Sequence, residues 1–206
     1  TVEDSMPAHF YESMGYVAHV PVRYYRAPRP VHQEPGPAPR PAEQDEAGAV
    51  IRFLNDALAE YDGYIPVDEP LWQWRRMGRP AALPASTWVL EGPGGYAGCV
   101  SACRARVVGA GGGEAACTVL TDLALARGAD PRTTVAALVD AVPGGCEARA
   151  LSADTEGAVN AAFEDLGFSV TAREVAMVLP LGAEARDALA SPPAHWYALA
   201  ESVIGV

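Results

Sequence analysis

The sequence predicts a mixed α/β domain, and three observations predict it. From Ala49 to Leu181, segments with the apolar repeat of a helix alternate with segments patterned as strands. Half of the 206 residues are apolar, which is enough for a substantial core. A proline-rich stretch, His32 to Gly48, sets this region apart from a short N-terminal piece, Thr1 to Val31.

Within the N-terminal piece, "AHFYESMGY" (8–16) reads as a short amphipathic helix. Gly15 stands where a helix stops in a left-handed residue, and Tyr16 begins a strand. The stretch "HQEPGPAPRPAEQDEAG" (32–48) reads as an extended linker, partly of polyproline character. In "AVIRFLNDALAEY" (49–61), Val50, Phe53, Leu54, Ala57 and Leu58 share one helix face, with an end expected near Asp62-Gly63. "YIPVDEPLWQWRRMG" (64–78) is irregular and aromatic, with a short helix expected around Trp72 to Met77.

Two strands follow, "STWVLEG" and "YAGCVSACRARVV", joined by a hairpin through Pro93-Gly94-Gly95. Gly109 to Gly113 reads as a loop and "ACTVLTDLAL" as the next strand. "DPRTTVAALVDAV" (130–142) reads as a helix, with Asp130 as its cap and Pro131 as its first residue. Val135, Leu138, Val139 and Val142 form its apolar face. Then come the strand "EARALSA", a second helix in "NAAFEDLGF" (160–168), and two strands, "FSVT" and "VAMVLPL", around a turn at Ala172 to Glu174. The tail, 182–206, contains Trp196 and Tyr197, expected to dock on the domain surface; His195 has no partner visible in the sequence.

The formal charge is -11 and all fifteen basic residues are arginine, so the surface should repel nucleic acid and anionic membrane. The same field requires local arginines or backbone N–H groups at any anionic ligand site. No run of eighteen apolar residues and no basic-then-apolar leader occurs, which makes a cytoplasmic location the default expectation. Cys99, Cys103, Cys117 and Cys146 form no CxxC pair and have no nearby histidine. They read as buried thiols, with no metal expected.

The two short helical segments repeat one pattern. Pro7, Phe10, Tyr11 and Met14 recur as Val159, Ala162, Phe163 and Leu166, each set followed by glycine and an aromatic residue. With "TDLALARGADPRTTVAALVDAV" (121–142), this pattern resembles the GNAT superfamily of N-acetyltransferases. The resemblance implies a mostly antiparallel central sheet flanked by helices, complete over residues 49–181. Residues 1–31 correspond to the last helix and strands of a first such module. The chain thus resembles the tail of one module followed by a whole one; the short piece could also complete a sheet in its neighbour or in a partner chain.

By the resemblance, acetyl-CoA lies against the fourth strand of the module, here Thr121 to Leu125, with Leu123 and Leu125 beside the pantetheine arm. Its pyrophosphate rests at the start of the next helix, near Arg127, Arg132, Thr133 and Thr134. In "RGADPR" (127–132), Asp130 and Arg132 stand where the family has glycine. A capping carboxylate at Asp130 fills N–H donors that would hold the phosphates, and Pro131 removes another. Asp122 is the candidate base, with a solvent-facing or capping aspartate as the alternative. Tyr11 is the candidate acid, or else a core aromatic; its counterpart Phe163 cannot donate a proton. Tyr61, Asp62, Tyr64, Trp72 and Trp74 lie where the family's acceptor wall forms, and could equally be a packed aromatic cluster.

The function implied is acyl-CoA-dependent transfer, acetyl in the first instance, to a small-molecule or peptide amine, with the complete module partly degenerate. An upstream GNAT-like module or a homodimer partner is expected alongside. The competing function is a non-catalytic binding or dimerisation module that has kept the fold and lost the cofactor loop. A third reading keeps the module active, with threonine hydroxyls and Arg132 replacing the lost phosphate contacts.

Overall fold

The structure, a computed structural model, describes residues 5–28, 38–74, 85–108, 113–142 and 146–198. The elements in chain order are α1 (Met6–Ser13), β1 (Val17–Ala27), β2 (Arg40–Pro41), a 3-10 turn (Gln44–Glu46), α2 (Ala47–Ala57) and α3 (Glu69–Trp72). They continue with β3 (Ala85–Gly92), β4 (Gly95–Val108), β5 (Glu114–Leu125), α4 (Pro131–Ala141), β6 (Glu147–Ala153), α5 (Gly157–Asp165), β7 (Ser169–Val178) and α6 (Ala183–Ala188). One seven-stranded sheet has the order β2-β3-β4-β5-β6-β1-β7. Every neighbouring pair is antiparallel except β5 with β6. The fold is the mixed, mostly antiparallel sheet with flanking helices that the sequence predicts.

Alternation along the strands divides the core between the two faces of the sheet. Leu90 and Val100 point to one face, where they pack with Val135 and Leu138 of α4 and Phe163 of α5. Their neighbours Val89 and Cys99 point to the other face, beneath Val50 and Leu54 of α2 and Trp72 of α3. The β3–β4 hairpin closes through Pro93-Gly94, with Gly95 at φ 125, a conformation that glycine adopts freely. α4 begins as expected: the Asp130 side chain accepts from the Thr133 N–H, and Pro131 needs no partner for an N–H it lacks.

Several local expectations change. The N-terminal piece contributes one long strand, and that strand lies inside the sheet, between β6 and β7. The expected C-terminal hairpin is a single strand: Ala172 and Glu174, placed at a turn by the sequence reading, pair with Tyr24 and Val22. With β1 supplying the neighbour, β7 has no need to fold back on itself. Inside the proline-rich stretch, Arg40–Pro41 pairs with Val89 and Trp88 at the sheet edge, where a proline without an N–H is tolerated. Arg40 is held there by Glu46 and Glu91, each 2.6 Å away.

α2 stops at Ala57, short of Asp62-Gly63, and α3 starts earlier than expected because Asp68 caps it through the Leu71 N–H. Met77 and the glycine loop at 109–112 lie outside the described residues. Cys99, Cys103 and Cys117 are buried thiols and Cys146 is partly buried. Burial pushes the Cys117 thiol up from its ordinary value. No metal-binding group of side chains occurs among the described residues, and none of their helices is long and apolar enough to cross a membrane.

The tightest contact between α4 and the sheet is at Gly98. A Cβ there would lie 2.7 Å from Thr134 Cγ2, 3.1 Å from Leu138 Cδ1 and 3.2 Å from the Ala124 carbonyl. The Gly98→Ala variant should therefore lose about 1–3 kcal/mol in urea unfolding, the cost of overpacking a filled core. Gly94→Ala, with nothing within 4 Å of its would-be Cβ, is the control and should be near neutral.

Candidate functional site

β5 and β6 pair only where Cys117–Val119 meets Glu147–Arg149. Beyond Val119 they part, because each follows its other neighbour. β6 continues along β1 to the Val22–Ala153 pair, while β5 stays with β4 and bulges. On the β5 side, Asp122 and Leu123 together face Val100, since the register jumps from Cys99–Ala124 to Ser101–Thr121. Asp122 takes φ 46, the only positive φ at a non-glycine residue among those described. Aspartate is one of the few residues that tolerates this region. The Cys99 thiol, 3.6 Å from the Asp122 carbonyl, supports the bulge from beneath.

The parted strands open a cleft lined by Thr121 to Leu125 of β5, Ala150 to Ala153 of β6, Glu156, Val159 and Phe163. Leu58, Tyr61 and the tail residues Trp196 to Ala198 close it. The Asp122 carboxylate is buried and accepts from the Tyr197 hydroxyl at 3.3 Å and the Thr121 hydroxyl at 3.2 Å.

The tail is held mainly through its backbone. The Asp62 N–H donates to the His195 carbonyl at 3.1 Å, and the Tyr197 N–H donates to the Asp62 carbonyl at 2.9 Å. Trp196 lies over Gly63 so closely that a Cβ on that glycine would sit 3.1 Å from the indole. Gly63 also has φ 78, so no other residue is easily placed there. His19 meets Trp196 edge-on at 5.2 Å, and Tyr64 meets Tyr197 in the same way at 5.2 Å. With the tail seated, about 60 Å³ of the cleft stays open, room for a few waters.

Glu156 stands just ahead of α5, at the mouth of the cleft. Its carboxylate accepts from the Tyr61 hydroxyl at 3.1 Å, the Thr155 hydroxyl at 3.0 Å and the Trp196 N–H at 3.2 Å. The His195 Nδ1 lies 3.3 Å from both of its oxygens, and the Tyr61 ring stacks on the His195 ring at 4.9 Å. Burial, and then the Glu156 charge, push the Tyr61 phenol well above its ordinary value. Among the described residues the lining thus carries two carboxylates and no arginine. Such a cavity attracts a cation and repels an anion.

The structure brings some of the expected site residues together and leaves others apart. Asp122, Leu123, Leu125 and Tyr61 line the cleft. Asp62 reaches it through its backbone, and Tyr64 through Tyr197, while its hydroxyl donates to Asn55 Oδ1 at 2.7 Å. Trp72 is buried under α2, and Trp74 is exposed. Tyr11 is on α1, edge-on to Phe10 and Tyr16, and does not line the cleft.

At the start of α4 the expected phosphate residues are otherwise engaged. Arg127 pairs with Glu60 at 2.6 Å and Arg132 with Asp165 at 3.1 Å, all at the surface. Thr133 gives its N–H at 2.9 Å and its hydroxyl at 2.6 Å to Asp130. These bonds, the hydroxyl first, hold the Asp130 carboxyl below its ordinary range. Thr134 is buried against Gly98.

Sequence reasoning missed Glu156 and the seating of the tail. The aromatic run His195-Trp196-Tyr197 is a usable signal for docking on the domain surface, but not for the place, which is the cleft between β5 and β6. Glu156 gave no signal, since an acidic residue ahead of a helix reads as a dipole partner.

The Glu156→Gln variant should bring the Tyr61 phenol back down toward its ordinary value, read as tyrosinate absorbance in an alkaline titration. Tyr61 has a raised folded-state value, so its contribution to stability is full below pH 10 and is lost as pH rises from there. Glu156→Gln should flatten that alkaline loss, and an unchanged Tyr61 titration would contradict the coupling.

No protein-family model and no curated protein sequence matches the chain. Solved structures do. A GCN5-related N-acetyltransferase from Anabaena variabilis ATCC 29413 superposes with a TM-score of 0.59 at 11% identity, over 84% of this chain and 43% of the other. Saccharomyces cerevisiae N-myristoyltransferase with bound myristoyl-CoA superposes with a TM-score of 0.54 at 11% identity, over 78% of this chain and 50% of the other. The chain therefore has a GNAT-like fold and spans half or less of the length of these two proteins.

Proposed function

We propose that the chain is the C-terminal portion of a tandem acyl-CoA-dependent N-acyltransferase, with acetyl-CoA as donor and a small-molecule or peptide amine as acceptor. The acidic cleft between β5 and β6 carries this reading. An amine arrives as an ammonium ion and must lose a proton before it can attack. Asp122 and Glu156 attract the cation, and a carboxylate within reach takes the proton. The bulge at Asp122 turns that carboxylate into the cleft, which makes it the assigned base.

The residues fit an acyl-CoA at one end only. Beyond Val119 the β5 main chain is no longer paired with β6, so Thr121 to Leu125 can meet an extended pantetheine arm. At the diphosphate end, Asp130 already holds the Thr133 N–H and Pro131 has none. The seated tail also leaves too little space for the arm. Bound acetyl-CoA would supply the acyl group as a thioester. The chain's own contribution is on the acceptor side: Asp122 takes the amine proton once Tyr197 and the rest of the tail give way to the arm. Protonation of the departing sulfur is assigned to Tyr11 in the module ahead, which takes the larger share of CoA binding. A cytoplasmic setting, where thiols stay reduced, accords with this reading.

A second reading, a non-catalytic binding or dimerisation module, draws its support from the filled cap at Asp130. Thermal unfolding with acetyl-CoA, controlled by desulfo-CoA and adenosine diphosphate, separates the two. Saturation at a hundred times the dissociation constant adds about 2.7 kcal/mol, a rise of several degrees in midpoint. No shift up to millimolar ligand favours the second reading. Under the first, Asp122→Ala lowers acetyl transfer by about 10²-fold or more in the full polypeptide; unchanged transfer removes Asp122 as base.

A further inference from the structure

The repeated helix–glycine–aromatic–strand pattern is a symmetry of the folded sheet as well as of the sequence. Take Gly15 and Gly167 as counterparts, and Tyr16 and Phe168 likewise; β1 and β7 then match residue for residue. In the β1–β7 ladder Val22 lies opposite Glu174, its own counterpart. Val17 lies opposite Val178, the counterpart of Arg26, and Arg26 lies opposite Ser169, the counterpart of Val17. The irregularities obey the same rule: the register skips His19 on β1 and Thr171 on β7, and these two are counterparts. A local twofold axis normal to the sheet therefore passes near Val22 and Glu174. It exchanges β1 with β7, and α1 with α5.

Only one half of this symmetric arrangement is filled. Beyond β1 lies β6, paired over Val22–Ala27. The counterpart edge runs from Glu174 to Val178 of β7, the last strand of the described sheet, and on to Leu179 just beyond it. On α5, Ala162, Phe163 and Leu166 are 2%, 1% and 3% exposed against α4 and the sheet. Their counterparts on α1, Phe10, Tyr11 and Met14, are 60%, 37% and 47% exposed. Leu179, whose Cδ1 would lie 3.7 Å from a Cβ on Gly15, is the counterpart of fully buried Ala27 and is 39% exposed. A helix with the apolar face of a core helix, placed on the same face of the sheet as its buried twin, needs the same kind of cover.

We propose that the outer edge of β7 and the apolar face of α1 together dock a second module of the same fold, joined to this chain ahead of α1. In that arrangement the module's counterpart of β6 pairs along Glu174–Leu179, as β6 pairs along Val22–Ala27, and the two sheets run on as one. The occupant is fixed by what it must offer: an exposed β6-like edge and a sheet face for α1. A second copy of this chain offers neither, since its β6 is already flanked by its own β1. The inference rests on the tandem reading above, and it agrees with a chain that spans 43% and 50% of two GNAT-like structures.

Hydrogen exchange read by mass spectrometry, on the full natural polypeptide and the 206-residue chain in parallel, tests it. Peptides covering 6–14 and 169–181 should exchange at least about tenfold more slowly in the full polypeptide. Phe10→Glu should abolish that difference in the full polypeptide while leaving the midpoint of the 206-residue chain unchanged. Equal exchange in the two proteins, or a natural polypeptide with no module ahead of α1, overturns the proposal. So does a dimer of the 206-residue chain that protects the same peptides. The readout is independent of activity: protection without acetyl-CoA binding keeps the interface and sinks the acyltransferase reading, and binding without protection does the reverse.

Discussion

The parting of β5 from β6 is the constraint on which the site depends. Three residue pairs hold the two strands together, and beyond them each is claimed by a stronger antiparallel neighbour. Parallel pairing is slightly weaker per residue than antiparallel pairing, so the sheet divides where two antiparallel ladders compete for it. The cleft is the space between the ladders, and the bulge at Asp122 is the local adjustment that lets β5 turn with β4. Acid groups, tail and aromatic rings are then arranged around a gap that the strand order makes unavoidable.

That gap is partly closed by the chain itself. Trp196 and Tyr197 take up space along the cleft, and Glu156 gathers the Trp196 N–H, the Tyr61 hydroxyl and the His195 ring at its mouth. A carboxylate largely shielded from water is costly unless its oxygens are satisfied, so Glu156 and the tail stabilise each other. The contact at Gly63 adds a steric condition, because the indole can lie flat only over a residue without a side chain.

Local structure was far more legible in the sequence than pairing. "EARALSA" gives β6 without an error, the turn at Pro93-Gly94 gives the hairpin, and Asp130-Pro131 gives the start of α4, because each is decided within a few residues. The final strand was misread because the break at Ala172 to Glu174 is polar and small, which locally resembles a turn. Only the presence of β1, more than a hundred positions earlier, keeps it extended. The site shows the same division. Asp122, Tyr61 and the leucines of β5 stand out on their own segments, whereas Glu156 and Tyr197 acquire meaning only when the tail crosses the sheet.

The placement of β1 also has a kinetic side. It precedes both of its neighbours, β6 and β7, by more than a hundred residues, and so leaves the ribosome well before them. Until they emerge, this eleven-residue strand lacks both of the partners that it has in the sheet. Contacts of such long sequence separation form slowly, and the unpaired strand is a hazard for association between nascent chains. Pro21, near the middle of β1, fits that interval, since a residue without an N–H makes a poor template for a stray strand. The insertion that completes the sheet thus leaves the ribosome-bound chain depending on β6 and β7 to become safe from its neighbours.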